Sequence, residues 1–216
     1  MIMNILFVDD AIVVAIKPAG VLSQEGEAGS LPAKLKEELG GEIYCVHRLD
    51  RETAGVMVFA RSQKAAATLS QDIALRKFEK EYLAVVTGTL EEAEGSLSDL
   101  LFFHRKKGKV FPVKRERKGV KDALLHYSVL ESDGAFSLVR VTPVTGRTHQ
   151  IRVQFASRKH PLFGDRKYGG GHGTLGLFSN RITFSHPISG ERLSFNAFPE
   201  HGEPWAKFDL HRSEEA

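Results

Sequence analysis

Cysteine occurs once in this chain, at Cys45, which rules out an internal disulfide and a thiolate cluster for zinc and fits a reducing compartment. No run of about 18 apolar residues is present, so no membrane span is expected. The first residues, MIMNILFVDDAIVV, have no basic segment, and Asp9 and Asp10 interrupt their apolar run, unlike a secretory signal. A cytoplasmic protein is therefore expected. Nine histidines are scattered without an H-E-x-x-H motif or Cys/His pairs at ligand spacing, so no metal site is expected. Neither the G-x-S-x-G elbow of a serine hydrolase nor the G-x-x-x-x-G-K-[ST] loop of a nucleotide-triphosphate site occurs. The net charge is only +3, so total charge barely argues for a polyanionic partner and its distribution matters more.

What is present is enough for a core. With 216 residues, 42% of them hydrophobic, the chain fits one domain over 1–216, with no internal repeat and no second domain. Two apolar runs, Ile5 to Val8 and Ile12 to Ile16, predict a hairpin, ended by Lys17-Pro18-Ala19-Gly20. Ser30 suits the N-cap of a helix with Leu31, Leu35 and Leu39 on one stripe and Gly40 at its end. Val56-Met57-Val58-Phe59-Ala60 reads as a strand buried on both faces, and Ser62 as the cap of a helix facing the core with Ala66, Leu69 and Ile73. A strand over Lys80 to Val86, a hairpin turned at Ser132-Asp133-Gly134 and a last hairpin around 186–190 complete the pattern. The fold class is α+β, a mixed, largely antiparallel central sheet with flanking helices and a basic hairpin arm. The glycine-rich PLFGDRKYGGGHGTLG reads as a mobile loop, and the polar tail after Trp205 as a fraying end.

Three stretches carry chemistry. In HRLDRETAG, from His47 to Gly55, Asp50 stands between Arg48 and Arg51 on a loop that feeds an interior strand. Guanidinium groups beside a carboxylate favour its ionised form, so this aspartate is either a functional anion or the acid of a salt-bridged turn. From His104 to Lys121 the sequence HRKKGKVFPVKRERKGVK contains Glu116 as its one acid. Such a segment cannot bury its charges cheaply, so it should project into solvent and offer Lys106, Lys107, Arg115 and Arg117 to a polyanion. Third, PVTGRTHQIRVQF opens a helix in which Gly146 and Thr148 suit the entrance, Ile151 and Phe155 face the core, and Arg152 lies on another side. Arg152 needs an anion there: Asp50, a substrate phosphate or a surface glutamate. Lys17 is either a phosphate contact or a strand-end charge, and Tyr82 taken alone is more often a core aromatic than a catalytic group.

Together, KPAG, HRLDRETAG, EKEYLAV, GRTHQIRVQ and HPLFGDRKYG resemble the catalytic domain of RNA pseudouridine synthases of the RluA type, in that family's order, from about Lys17 to Phe198. The resemblance implies a uridine-to-pseudouridine isomerase acting on ribosomal or transfer RNA by base flipping, without cofactor or metal and as a monomer. It implies that Asp50 is the essential carboxylate, that Tyr82 stacks on the target base and moves a proton, that Arg152 pairs with the aspartate, and that Arg51 fills the gap left by the base. His47, Arg48, Lys17, Gly146, Arg147, Thr148, His149, Gln150 and Ile151 are then expected to bind substrate. Ala54, Leu125 and Gln154 depart from the family's usual serine, threonine and histidine, and the small N-terminal RNA-binding domain of many relatives is not expected here. Two rivals remain: an RNA-binding protein without catalysis, which gains nothing from an acid in a cationic groove, and a nucleoside hydrolase, which ordinarily needs two cooperating acids.

Overall fold

A computed structural model of the protein describes residues 4–26 and 29–210. Its contacts separate two compact units, Met1–Lys80 with Phe178–Pro199, and Glu81–Leu177 with Glu200–Ala216.

The first unit is built on β1 (Ile5–Val8), β2 (Ile12–Lys17), β4 (Ala54–Ala60) and β10 (Leu177–Ser185), paired in that order. The short β3 (Tyr44–Cys45) joins β4, and β11 (Arg192–Asn196) joins β10. All these pairings are antiparallel except β4 with β10. Val56 to Ala60 have no exposed surface, as an apolar run with neighbours on both edges must be. The parallel pairing explains why the motif ends in Gly55: its φ is +124°, and a Cβ there would collide with the backbone of Ser179. Helix α1 (Leu31–Leu39) is capped by the Ser30 hydroxyl, which accepts from Ala33 N, and is closed by Gly40. Helix α2 (Gln63–Ala74) is capped in the same way by Ser62. Leu69 and Ala65 of α2 pack with Val56, Val58, Phe78, Ile182 and Phe184 in one core.

The second unit runs β5 (Glu79–Thr87), β9 (Phe136–Pro143), β8 (Val120–Ser132), β6 (Glu94–His104) and β7 (Lys109–Val113), every pair antiparallel. Strands β6 and β7 form the basic hairpin, turned through Arg105–Lys107 and Gly108, whose left-handed φ of 54° suits glycine. Lys106, Lys107, Arg115 and Arg117 are exposed, as the cost of burying their charge requires. Helix α3 (Gln150–Ser157) packs its Val153 with Leu101 and Val110 of the arm's strands and Ala123 of β8.

Three expectations are corrected. Helix α3 is capped by neither Gly146 nor Thr148; its N-cap is His149, with φ 52° and no side-chain cap, and Gln150 through Phe155 are all buried, not only one face. The glycine-rich stretch after Pro161 is not a loose loop. Asp165 O accepts from the backbone N–H of Tyr168, Gly169 and Gly170, and a Cβ at Gly170 would strike Leu162 O. At the other end, Trp205 and Phe208 are buried, so the chain is packed past Trp205; residues 211–216 lie outside the described residues. No helix among the described residues is long and apolar enough to cross a membrane.

Candidate active site

Asp50 sits on a turn closed by Thr53 N donating to Asp50 O at 3.1 Å. That turn is fixed from beneath by Lys17. Its ammonium donates to Pro18 O at 2.9 Å, Val21 O at 2.7 Å and Arg51 O at 3.0 Å, matching three protons to three carbonyls, and the residue has no exposed surface. Gly20 N also donates to Arg51 O, and Arg51 Nε donates back to Gly20 O, so the KPAG and HRLDR segments form one knot. On the other side Ser23 Oγ donates to Leu49 O. The half-buried carboxylate is thus offered on a backbone held at both flanks, the preorganisation a reacting group requires. Burial draws the Lys17 ammonium down to about 8, against the opposing pull of Asp50 and Glu52.

His47 supports the same turn. Its Nε2 accepts from Val58 N at 3.1 Å, so the imidazole is neutral with its proton on Nδ1, which is buried and makes no hydrogen bond among the described residues. Burial, with Lys80 adding to it, holds His47 well below its usual 6.5. Cys45 is equally withdrawn: its thiol donates toward Ser23 O and His47 O, and burial pushes it up to about 11, far from a nucleophile.

In the second unit Tyr82 is on β5 opposite Val141, with 8% of its surface exposed. Arg152 is on α3, 3% exposed. Its Nε and Nη2 grip Asp165 Oδ2 and Oδ1 at 2.7 and 2.9 Å, a bidentate pair whose carboxylate is fully buried. The Asp165 carboxylate also accepts from Lys167 N and Tyr168 N, so two backbone donors of its own loop converge on it. Breaking a buried pair of this kind costs about 3–5 kcal/mol. Asp165 was absent from the sequence candidates. The signal was the demand of Arg152 for an anion, and it lay inside GDRKYG, read as a mobile loop because glycine dominates that stretch.

The expected substrate contacts divide. Arg48 and Arg51 are exposed and Arg147 and Thr148 half-exposed beside the exposed Gly146, where an RNA can reach them. Lys17, His47, Gln150 and Ile151 are buried at 0, 7, 4 and 6% exposure. Gln150 instead spends its amide on structure, Oε1 accepting from Thr145 Oγ1 and Arg147 N and Nε2 donating to Leu124 O. His149 Nδ1 meets the Tyr168 hydroxyl at 2.9 Å. Among the described residues no group of His, Cys, Asp or Glu is arranged to hold a metal ion.

Comparison with known proteins decides the family. Residues 11–157 match the RNA pseudouridylate synthase family. The chain is 34% identical over 212 residues to an uncharacterized RNA pseudouridine synthase of Bacillus subtilis, YhcT, covering 91% of this chain and 69% of that protein. It is 34% identical over 209 residues to the dual-specificity RNA pseudouridine synthase RluA of Pasteurella multocida, covering 91% and 93%. The chain belongs to the RNA pseudouridine synthases. These are isomerases that convert uridine in RNA to pseudouridine. The fold agrees: a human RNA pseudouridylate synthase domain-containing protein superposes with a TM-score of 0.78 at 23% identity, covering 92% of this chain and 84% of that one. Against this pseudouridine synthase background two of the three departures, Gln154 and Leu125, have structural accounts. Gln154 is buried and its Nε2 donates to Leu97 O and Asp99 Oδ2, tying α3 to β6, while Leu125 fills a core position on β8.

The buried neutral His47 predicts an acid sensitivity. Unfolded chain takes up a proton near the usual 6.5 and the native imidazole does not, so stability falls as pH drops below that value. His47→Gln keeps an acceptor for Val58 N without a titrating group, and should flatten the decline in urea midpoint between pH 6.5 and about 5. An unaltered decline would place the sensitivity on another group.

Proposed function

We propose that this synthase isomerises specific uridines of ribosomal or transfer RNA, with Asp50 as the reacting carboxylate and the target base flipped from its stack. The observation that carries this reading is the presentation of Asp50 on a turn locked by three carbonyl bonds from buried Lys17. An acid that merely completed a surface ion pair would need no such support.

The reaction breaks the bond from ribose C1′ to uracil N1 and forms one from C1′ to C5; the hydrogen on C5 is lost and N1 gains a proton, so composition is unchanged. An ionised Asp50 serves either route, by attacking C1′ or by stabilising its cationic character while a glycal forms. Arg152 is assigned to keep Asp50 ionised and aimed. The bidentate pair with Asp165 fixes the plane of its guanidinium. Tyr82 is assigned to stack on the uracil and carry the C5 proton away from bulk water. Extruding a nucleotide costs a few kcal/mol of stacking. Arg51, exposed beside Asp50, is assigned to the vacated space, and Arg147, Arg48 and the arm to phosphates, which offset that cost.

Charge distribution supports the RNA assignment. Residues 104–121 carry nine Lys and Arg against Glu116, a net +8, so with a chain total of +3 the remainder is net −5. The cation is concentrated on one solvent-exposed hairpin, where backbone phosphates are reached without desolvating the core.

Asp50→Asn should leave the fold intact and abolish conversion, measured by pseudouridine mapping of RNA from cells lacking the gene after incubation with purified protein. Conversion by the folded variant would overturn the carboxylate mechanism, and release of free uracil by the unaltered protein would favour the hydrolase reading. Changing Lys106, Lys107, Arg115 and Arg117 to glutamine should weaken RNA binding and reduce the slope of log affinity against log salt by roughly 3–4 if each meets a phosphate. An unchanged slope would remove the arm from the RNA interface.

A further inference from the structure

One residue outside the assigned machinery touches the arm, α3 and the Asp165 loop at once. The Tyr168 hydroxyl accepts from Val110 N at 2.8 Å and meets His149 Nδ1 at 2.9 Å, in a bond whose direction follows the imidazole tautomer. Its backbone N–H is given to Asp165, and its ring lies 5.6 Å from the Arg152 guanidinium and 4.9 Å from the Lys109 ammonium. Tyr168 also packs against the Leu101, Val110, Ala123 and Val153 cluster that joins the arm's strands to α3.

Each contact answers a physical need. Val110 is on β7, the last strand of its path, so its outward N–H has no strand to meet and is satisfied by the phenol instead. His149 holds a left-handed φ of 52°, rare for a residue with a side chain, and gives α3 no cap; its ring is turned to Tyr168. Next to Tyr168, the Lys167 ammonium donates to Gly108 O at the tip of the arm, a second tie across the same gap. The chain of contacts therefore runs from the arm's edge strand, through one hydroxyl and one ring, to the guanidinium paired with Asp165.

We propose that Tyr168 is a positioning residue that couples seating of RNA on the basic arm to the placement of Arg152. This rests on the reading of the arm as RNA-binding and of Arg152 as part of the reaction. Phosphates that pull on Lys106, Lys107, Arg115 and Arg117 load the hairpin, and the Val110–Tyr168 bond fixes where that load meets α3. The arm then raises the rate of conversion as well as affinity, which a mere electrostatic tether would not do.

The test is a double-mutant cycle on single-turnover conversion at saturating protein, with RNA from cells lacking the gene as substrate. Tyr168→Phe keeps the ring over Arg152 and deletes the hydroxyl; it should slow conversion on the order of tenfold, leave the RNA dissociation constant within about threefold, and speed hydrogen exchange at the Val110 amide. In the protein with the four arm cations changed to glutamine, conversion is already slowed, and adding Tyr168→Phe should cost less than about threefold more. If Tyr168→Phe does not fold, Val110→Pro removes the same bond from the arm side. Proline is compatible with an outward-facing position of an edge strand, as Pro112 two residues on already shows. An unchanged rate in these variants, or equal losses from Tyr168→Phe in both backgrounds, would overturn the coupling. Wild-type protein that binds the RNA and converts no uridine would overturn the reading on which it rests.

Discussion

A buried ammonium with three carbonyl partners is the constraint on which the first unit depends. Lys17 is drawn out of water at the end of β2, and the cost of desolvating its charge is met only if Pro18, Val21 and Arg51 turn their carbonyls inward. Those three residues belong to the two loops that flank Asp50, so satisfying one cation dictates the path of both. Gly20 and Arg51 then close the knot with reciprocal bonds. The carboxylate is left half-exposed at the top of a turn that has little freedom, which is how a fold holds an anion ready without burying it.

The second unit solves the same problem with opposite charge. Arg152 would be intolerable among Gln150, Ile151, Val153 and Phe155 without an acid, and Asp165 supplies one that is itself saturated by backbone N–H groups. Glycines at 164 and 170 let the loop fold tightly enough for that, since a side chain at either position would meet backbone. Around this pair α3 is fastened to β8 by Gln150 and to β6 by Gln154 and Arg158, so the basic hairpin is mechanically continuous with a buried guanidinium.

Strands, caps and the arm were legible in the sequence because each is dictated by short-range physics. Ser30 and Ser62 sit where an N-cap must, Val56 to Ala60 have nothing polar to show to water, and the clustered cations of residues 104–121 cannot be buried cheaply. What escaped was set by partners distant in sequence. Lys17 looks like a strand-end charge until Val21 and Arg51 are seen to receive its protons. Asp165 hides in a glycine-rich stretch whose composition suggests mobility, although here glycine marks close packing. His47 and Gln150 resemble binding groups by type, yet their hydrogen bonds are directed to Val58, Leu124 and Arg147. The shared motifs single out these segments without saying which of their members are buried and which exposed.

The central claim, that Lys17 acts on the reaction by shaping the turn that presents Asp50, is tested most directly by Lys17→Met, which keeps the unbranched stem one atom shorter and removes the proton donors. Single-turnover conversion and RNA affinity would be measured together, with thermal unfolding as a control. The account predicts a folded protein of lowered stability that binds RNA within a few-fold of wild type and converts it at least tenfold more slowly, on the order expected for a misplaced reacting group. Conversion at the wild-type rate, or a loss confined to RNA affinity, would contradict it.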